Sequence, residues 1–156
     1  MARDEKLSPA LTGTHLMIPS VCVNTALPEK YRKDAHSWEQ NKNAAILSRK
    51  ACDLFFDNYV PNHSDRGSEL FSPLNFKTGH AGLPPTYLQI CGADPLRDEA
   101  LIYERVLREE EGIKTKVNVY PGLPHGFWAV FNTLPSSKKF VDESVKGVQW
   151  LLEQKM

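Results

Sequence analysis

The chain has 156 residues, 41% of them apolar and 24% charged, which suits one soluble globular domain with a core of useful size. Basic and acidic side chains number 19 each, so the even balance argues against nucleic acid or an anionic membrane as partner. No apolar run approaches the roughly 18 residues of a membrane span, and Met1 to Lys6 lack the apolar centre of a secretion signal, which makes the cytoplasm the expected location.

Taken in order, residues 3–12 are charged and then loop-like, and Ser8 to Gly13 read as a linker following a helix. His15 to Val23 predicts the first strand. It is nearly apolar on both faces, as a strand covered by helices on each side should be, although Pro19 weakens pairing. His15 lies at its amino end, the wrong side for a site built at the carboxyl ends of strands, so a structural role is expected. Asn24 to Asn41 is polar and irregular, with Tyr31 and Trp38 as isolated aromatics. A helix is predicted from about Asn41 to Tyr59, where Ala45, Cys52, Phe55, Phe56 and Tyr59 recur near helical spacing before Pro61. The loop Asn62 to Gly67 holds His63-Ser64-Asp65, but three neighbours on one loop cannot each take the geometry of a catalytic triad.

Residues 84–128 carry the chemistry. Thr86 to Cys91 follows a double proline as a short apolar strand, and Gly92-Ala93-Asp94-Pro95 punctuates it. Asp94 then sits just past the carboxyl end of a strand, as cap of a helix with Pro95 at its first position and Leu96, Ala100, Tyr103 and Leu107 at helical spacing. Glu109-Glu110-Glu111 ends that helix against its macrodipole and reads as a solvated face; Gly112 stops it. Lys116 to Tyr120 alternates as a second strand, and Pro121 to Pro124 deliver His125 to the same end of the sheet. In a parallel sheet, ligands and catalysis gather at that end, so an acid and a histidine leaving neighbouring strands can meet there. Beyond it, Phe127, Trp128 and Phe131 either pack the last helix or line an acyl pocket, and Phe140, Val141, Val145, Val148, Trp150, Leu151 and Leu152 give the final helix, about Lys138 to Lys155, a broad apolar face toward the sheet.

Asp94-Pro95-Leu96-Arg97-Asp98-Glu99, followed by Tyr120-Pro121-Gly122-Leu123-Pro124-His125-Gly126-Phe127, resembles the hormone-sensitive-lipase-like branch of the α/β-hydrolases, which are serine carboxylesterases. Leu70 to Leu74 and Leu83-Pro84-Pro85 extend the likeness, which runs from near residue 7 to the C-terminus. The resemblance implies an α/β fold, with the three strands as strands six to eight of eight. It assigns Asp94 as the acid of a catalytic triad and His125 as its base, with Asp98 as the rival acid, and it implies no metal or organic cofactor and a small-molecule ester as substrate. Segments after the first strand would roof the substrate site.

The nucleophile elbow G-x-S-x-G and the H-G-G oxyanion loop are both missing. None of the ten serines has glycine two residues before it, and His125-Gly126 is the single His-Gly pair. In the family both motifs lie upstream of the stretch resembling Leu7 onward, so residues 1–156 read as a partial α/β-hydrolase domain cut between strands five and six. Cys91, three residues before Asp94, is the other thinkable nucleophile, yet Gln89 stands where an elbow needs glycine. Cys22, Cys52 and Cys91 cannot all pair within one chain and fit no zinc spacing, so buried free thiols are expected. Three functions follow as expectations: the acid and base portion of an ester hydrolase, inactive alone; a small-molecule-binding protein on the same fold; or a regulatory subunit. The strand at the cut would have an unpaired edge, favouring a homodimer, aggregation or pairing with a missing N-terminal half.

Overall fold

Strand β2, Thr86–Ala93, is the middle of a three-stranded parallel sheet in the computed structural model, which describes residues 2–154. Its flanks are β1, Thr14–Met17, and β3, Thr115–Pro124, with Leu16 beside Leu88 and Leu88 beside Val117. Tyr87, Leu88, Gln89, Ile90 and Cys91 are all essentially inaccessible, so β2 needs cover on both faces. Helix α4, Arg97–Arg105, gives one cover, with Ala100 packed on Leu88 and Ile90. Helix α6, Pro135–Glu153, gives the other, where Tyr87 Oη donates to Glu143 O at 3.1 Å and Gln89 Nε2 to Phe140 O at 3.0 Å. The side-chain alternation of a strand sends Tyr87 and Gln89 one way and Leu88 and Ile90 the other. The fold class expected from the sequence therefore forms.

A polar amide in the centre of this sheet is stable because every one of its atoms has a partner. Gln89 Nε2 also donates to Tyr120 Oη at 2.7 Å, while its Oε1 accepts from Ser144 Oγ at 2.7 Å and meets His15 Nε2 at 2.9 Å. His15 stacks on Tyr87, with ring centroids 4.8 Å apart, and is part of the sheet's packing. Satisfied networks of this kind fix one arrangement of strand and helix. Above Tyr87, α6 can approach closely because residue 147 is glycine. A Cβ there would lie 1.9 Å from Tyr87 Cε1. Gly147→Ala should therefore destabilise the chain by about 2 kcal/mol or more despite alanine's better helix propensity, and urea unfolding of the two proteins measures it.

Several sequence expectations need correction. The first strand is four residues and not nine, because Ile18 takes φ 42° and Pro19 cannot donate to a ladder. Val21, Cys22 and Val23 are buried all the same, with Val21 and Cys22 packing against Ile102, Tyr103 and Val106. The helix expected from Asn41 starts at Arg49: α1 covers Glu29–Arg32, α2 Ser37–Gln40 and α3 Arg49–Tyr59, with Ser48 Oγ accepting from Ala51 N as cap. Of its expected apolar stripe only Cys52 is buried; Phe55 and Tyr59 face solvent. The helix after Asp94 begins at Arg97 and closes in a π-helical turn, Val106–Glu110. Its acidic end is not merely solvated, since Glu110 accepts from Lys30 Nζ and Tyr31 Oη and Glu111 from His80 N. On α6, Ser137, Phe140, Gly147 and Leu151 are buried, whereas Val141, Val145, Val148 and Leu152 point outward, so the apolar face is split. Lys155, its expected end, lies outside the described residues.

Candidate active site

The two loop positions singled out by sequence become neighbours through an irregularity in the sheet. Up to Cys91 and Tyr120 the strands β2 and β3 pair residue for residue; the next pair is Ala93 with Pro124. Gly92 alone therefore opposes Pro121 to Leu123, a bulge on β3. Only glycine fits at 92, because a Cβ would come within 2.9 Å of both Gly122 N and Pro121 Cα. Asp94 and His125 are the residues directly after the Ala93 and Pro124 pair. They leave the sheet side by side.

Asp94 Oδ2 and His125 Nδ1 are 2.7 Å apart. A carboxylate can only accept, so Nδ1 carries the hydrogen of this bond, and in the neutral imidazole Nε2 keeps its lone pair. The other carboxylate oxygen, Oδ1, accepts from Leu96 N at 2.9 Å. Asp94 is 1% exposed, whereas the His125 side chain keeps 23% of its surface in contact with solvent. The buried carboxylate thus holds a partly exposed imidazole. After His125, Gly126 takes φ 67°, a left-handed turn that starts the short helix α5, Phe127–Val130.

The other candidates sit elsewhere or are committed. Asp98 Oδ2 accepts from His36 N and Ser37 N, both at 2.7 Å, and its Oδ1 from Arg97 Nε at 2.6 Å. Burial would raise its carboxyl, but Arg97 and the two amides outweigh that and hold it below the ordinary aspartate range. Cys91 is inaccessible within β2, and burial pushes its thiol up to about 12, which keeps it out of the thiolate form. His63, Ser64 and Asp65 lie on an exposed turn; the histidine Nε2 is 3.4 Å from Asp57 and the serine hydroxyl bonds Asn62. Phe127 and Trp128 pack the last helix: Trp128 stacks on Phe140 at 3.7 Å between centroids and Phe127 meets the same ring edge-on. Phe131 is 46% exposed. All three cysteines are buried free thiols.

Buried serine hydroxyls are also committed away from the histidine. Ser37 donates to Pro95 O, Ser72 to Arg66 O and Ser137 to Phe131 O. Among the described residues, no group of three or more histidine, cysteine or acidic side chains could hold a metal ion, and no helix is long and apolar enough to cross a membrane. A cavity of about 500 Å3 lies apart from the pair, between Leu7 and Leu11 on one side and Phe76, Leu83 and Tyr103 on the other.

A family profile described as the alpha/beta hydrolase fold matches residues 1–129. The chain belongs to the alpha/beta-hydrolase family. This alpha/beta-hydrolase chain is 40% identical over 152 residues to an AB hydrolase superfamily protein of Schizosaccharomyces pombe, a match covering 97% of the chain and 44% of the relative. A versiconal hemiacetal acetate esterase of Dothistroma septosporum is 36% identical over 153 residues, 97% of the chain and 45% of the esterase. Among solved structures, vibralactone cyclase superposes with a TM-score of 0.84 at 38% identity, over 92% of this chain and 41% of the cyclase. The chain thus spans about half the length of the curated relatives it matches. Carboxylesterase-like chemistry is the common property of the named esterase relatives of this alpha/beta-hydrolase.

Sequence reasoning missed the group that surrounds the acid. Asn41 Nδ2 donates to Asp94 O at 2.9 Å, Arg97 Nη1 to Gly92 O at 3.1 Å, and Glu99, buried within α4, accepts from Val21 N and Cys22 N. Two acids in the first turn of a helix that also starts beside a strand end were the available signal. Nothing in the sequence marks Asn41.

Proposed function

We propose that this chain supplies the acid and base of a serine carboxylic-ester hydrolase acting on small or medium acyl or aryl esters. One observation carries the reading: a buried carboxylate holds the Nδ1 hydrogen of a partly exposed histidine at the carboxyl ends of two parallel strands. In the reaction, His125 Nε2 takes the proton of a serine hydroxyl as its oxygen attacks the ester carbonyl. The negative charge of Asp94 stabilises the imidazolium so formed. His125 then returns the proton to the departing alcohol oxygen, leaving an acyl-serine, and repeats the relay with water to release the acid. Serine and oxyanion donors come, in this proposal, from residues outside this sequence; the reading is supported by β1, which pairs only with β2 among the described residues and so has an edge to offer a strand of a complementary half or of a second copy. The name of the Dothistroma relative, an acetate esterase, supports a short acyl group.

Purified alone, the chain should hydrolyse p-nitrophenyl acetate or butyrate no faster than its His125→Ala variant, since loss of the nucleophile from such a triad costs about a millionfold in turnover. Co-expression with the N-terminal half of a related esterase should raise both solubility and hydrolysis, and His125→Ala should abolish the gain in hydrolysis. Hydrolysis by the chain alone that disappears in His125→Ala and is blocked by a serine-directed phosphonate would refute the proposal.

A further inference from the structure

The polar segment between β1 and α3 grips the turn that bears the acid. Helix α2 presents Ser37, whose Oγ donates to Pro95 O at 2.7 Å, and Asn41, just past its end, donates to Asp94 O at 2.9 Å and reaches Gly92 O at 3.4 Å. The carbonyls of Gly92, Asp94 and Pro95 are thereby all held by side chains of residues 37–41, and Arg97 Nη1 adds a second bond to Gly92 O. Asp98 fixes α2 in turn: one oxygen takes both His36 N and Ser37 N, the other takes Arg97 Nε, and the Asp98 amide donates back to Ser37 Oγ at 3.0 Å. Arg97 Nη2 closes the ring on Gln40 Oε1 at 2.7 Å. Three side chains, Ser37, Asn41 and Arg97, thus bond carbonyls of the four residues Gly92 to Pro95.

We propose that Asn41 is a positioning residue for the Asp94 and His125 pair, with Asp98 as its anchor. The proposal rests on reading that pair as catalytic acid and base. Its physical basis is that the carboxylate of Asp94 can bond Leu96 N with one oxygen and His125 Nδ1 with the other only while its own peptide plane is fixed. Asn41 fixes that plane through its bond to Asp94 O. Being neutral, the Asn41 amide grips these carbonyls without competing with imidazole for the charge of Asp94.

The test is the proton on His125 Nδ1, which resonates far downfield in proton NMR while bonded to a carboxylate. In Asn41→Ala its exchange with water should speed up about tenfold, the effect of losing roughly one net hydrogen bond, and Asp98→Asn should act in the same direction. Asn75→Ala is the matched control, since Asn75 Nδ2 also reaches two carbonyls, Ala26 O and Gly67 O, at a remote place in the fold. It should leave the resonance unchanged. If Asn41→Ala does not fold, Asn41→Ser, whose donor is too short to reach both carbonyls, is expected to behave as described for alanine. An unchanged resonance in the Asn41 variants, or equal acceleration in Asn75→Ala, overturns the proposal. If instead Asp94→Ala keeps the resonance, the pair itself is refuted and this inference falls with it.

Discussion

Raising the pH from 5 to 9 should cost the folded chain on the order of 4 kcal/mol of stability through Glu99 alone, and Glu99→Gln should remove most of that dependence. Burial raises the Glu99 carboxyl to about 8, against the lowering effect of the Val21 and Cys22 amides and the Ser20 side chain, with the charge of Asp94 adding to the rise. Between the ordinary glutamate value near 4.5 and about 8, the folded chain keeps a proton that the unfolded chain has released. Stability contributed by that proton is complete below the unfolded value, declines as pH rises through this window, and is gone above the folded value. Glutamine has the shape of the protonated acid and never ionises, so the variant should match the parent near pH 5 and exceed it near pH 9. Urea unfolding at the two pH values measures the difference. Parallel slopes for parent and variant would mean that Glu99 is ionised in the folded chain.

In an enzyme assembled from this chain and an N-terminal half, Asp94→Asn should lower turnover about ten-thousandfold, because an amide holds the histidine in the wrong tautomer and cannot stabilise the imidazolium. Asp98→Asn should cost only about tenfold, the scale of one net hydrogen bond, since its carboxylate faces His36 N, Ser37 N and Arg97 and touches no ring atom of the base. Ester turnover by the two variants, measured side by side, decides between them; the opposite order defeats the assignment. Were Asp94 only the cap of its turn through Leu96 N, Asp94→Ala would cost about 0.5 to 2 kcal/mol of stability and leave turnover unaltered.

The parts of this fold legible in the sequence are those where backbone and side-chain preferences agree. The apolar stretch from Tyr87 to Cys91 and the punctuation at Gly92 to Pro95 gave β2 and the place of Asp94, and the alternation from Lys116 gave β3. Strand β1 is shorter than its apolar sequence predicts because Val21 and Cys22 pack as irregular chain on Ile102 and Tyr103, after the left-handed Ile18 has broken the ladder. Periodicity cannot separate a buried strand from a buried loop. The helix at 41–59 was started too early for a similar reason: Leu47 and Trp38 join the cluster around Cys52 without being on its helix. The meeting of Asp94 and His125 is legible because each is flanked by turn-forming glycine and proline. The hydrogen bonds that hold the acid are not, since Asn41 and Asp94 are 53 residues apart and pairing at that distance leaves no local pattern.

Because Asp94 and His125 follow directly on a paired position of β2 and β3, their spacing is a property of the ladder and not of the chain between them. Insertions at the corner beside the exposed Gly112 would lengthen the crossover without altering where either side chain emerges. A single deletion among Pro121, Gly122 and Leu123 would act differently, shifting every later residue of β3 by one position and turning the imidazole toward the opposite face. Natural length variation in this part of the family should therefore concentrate at the corner and spare the three-residue bulge.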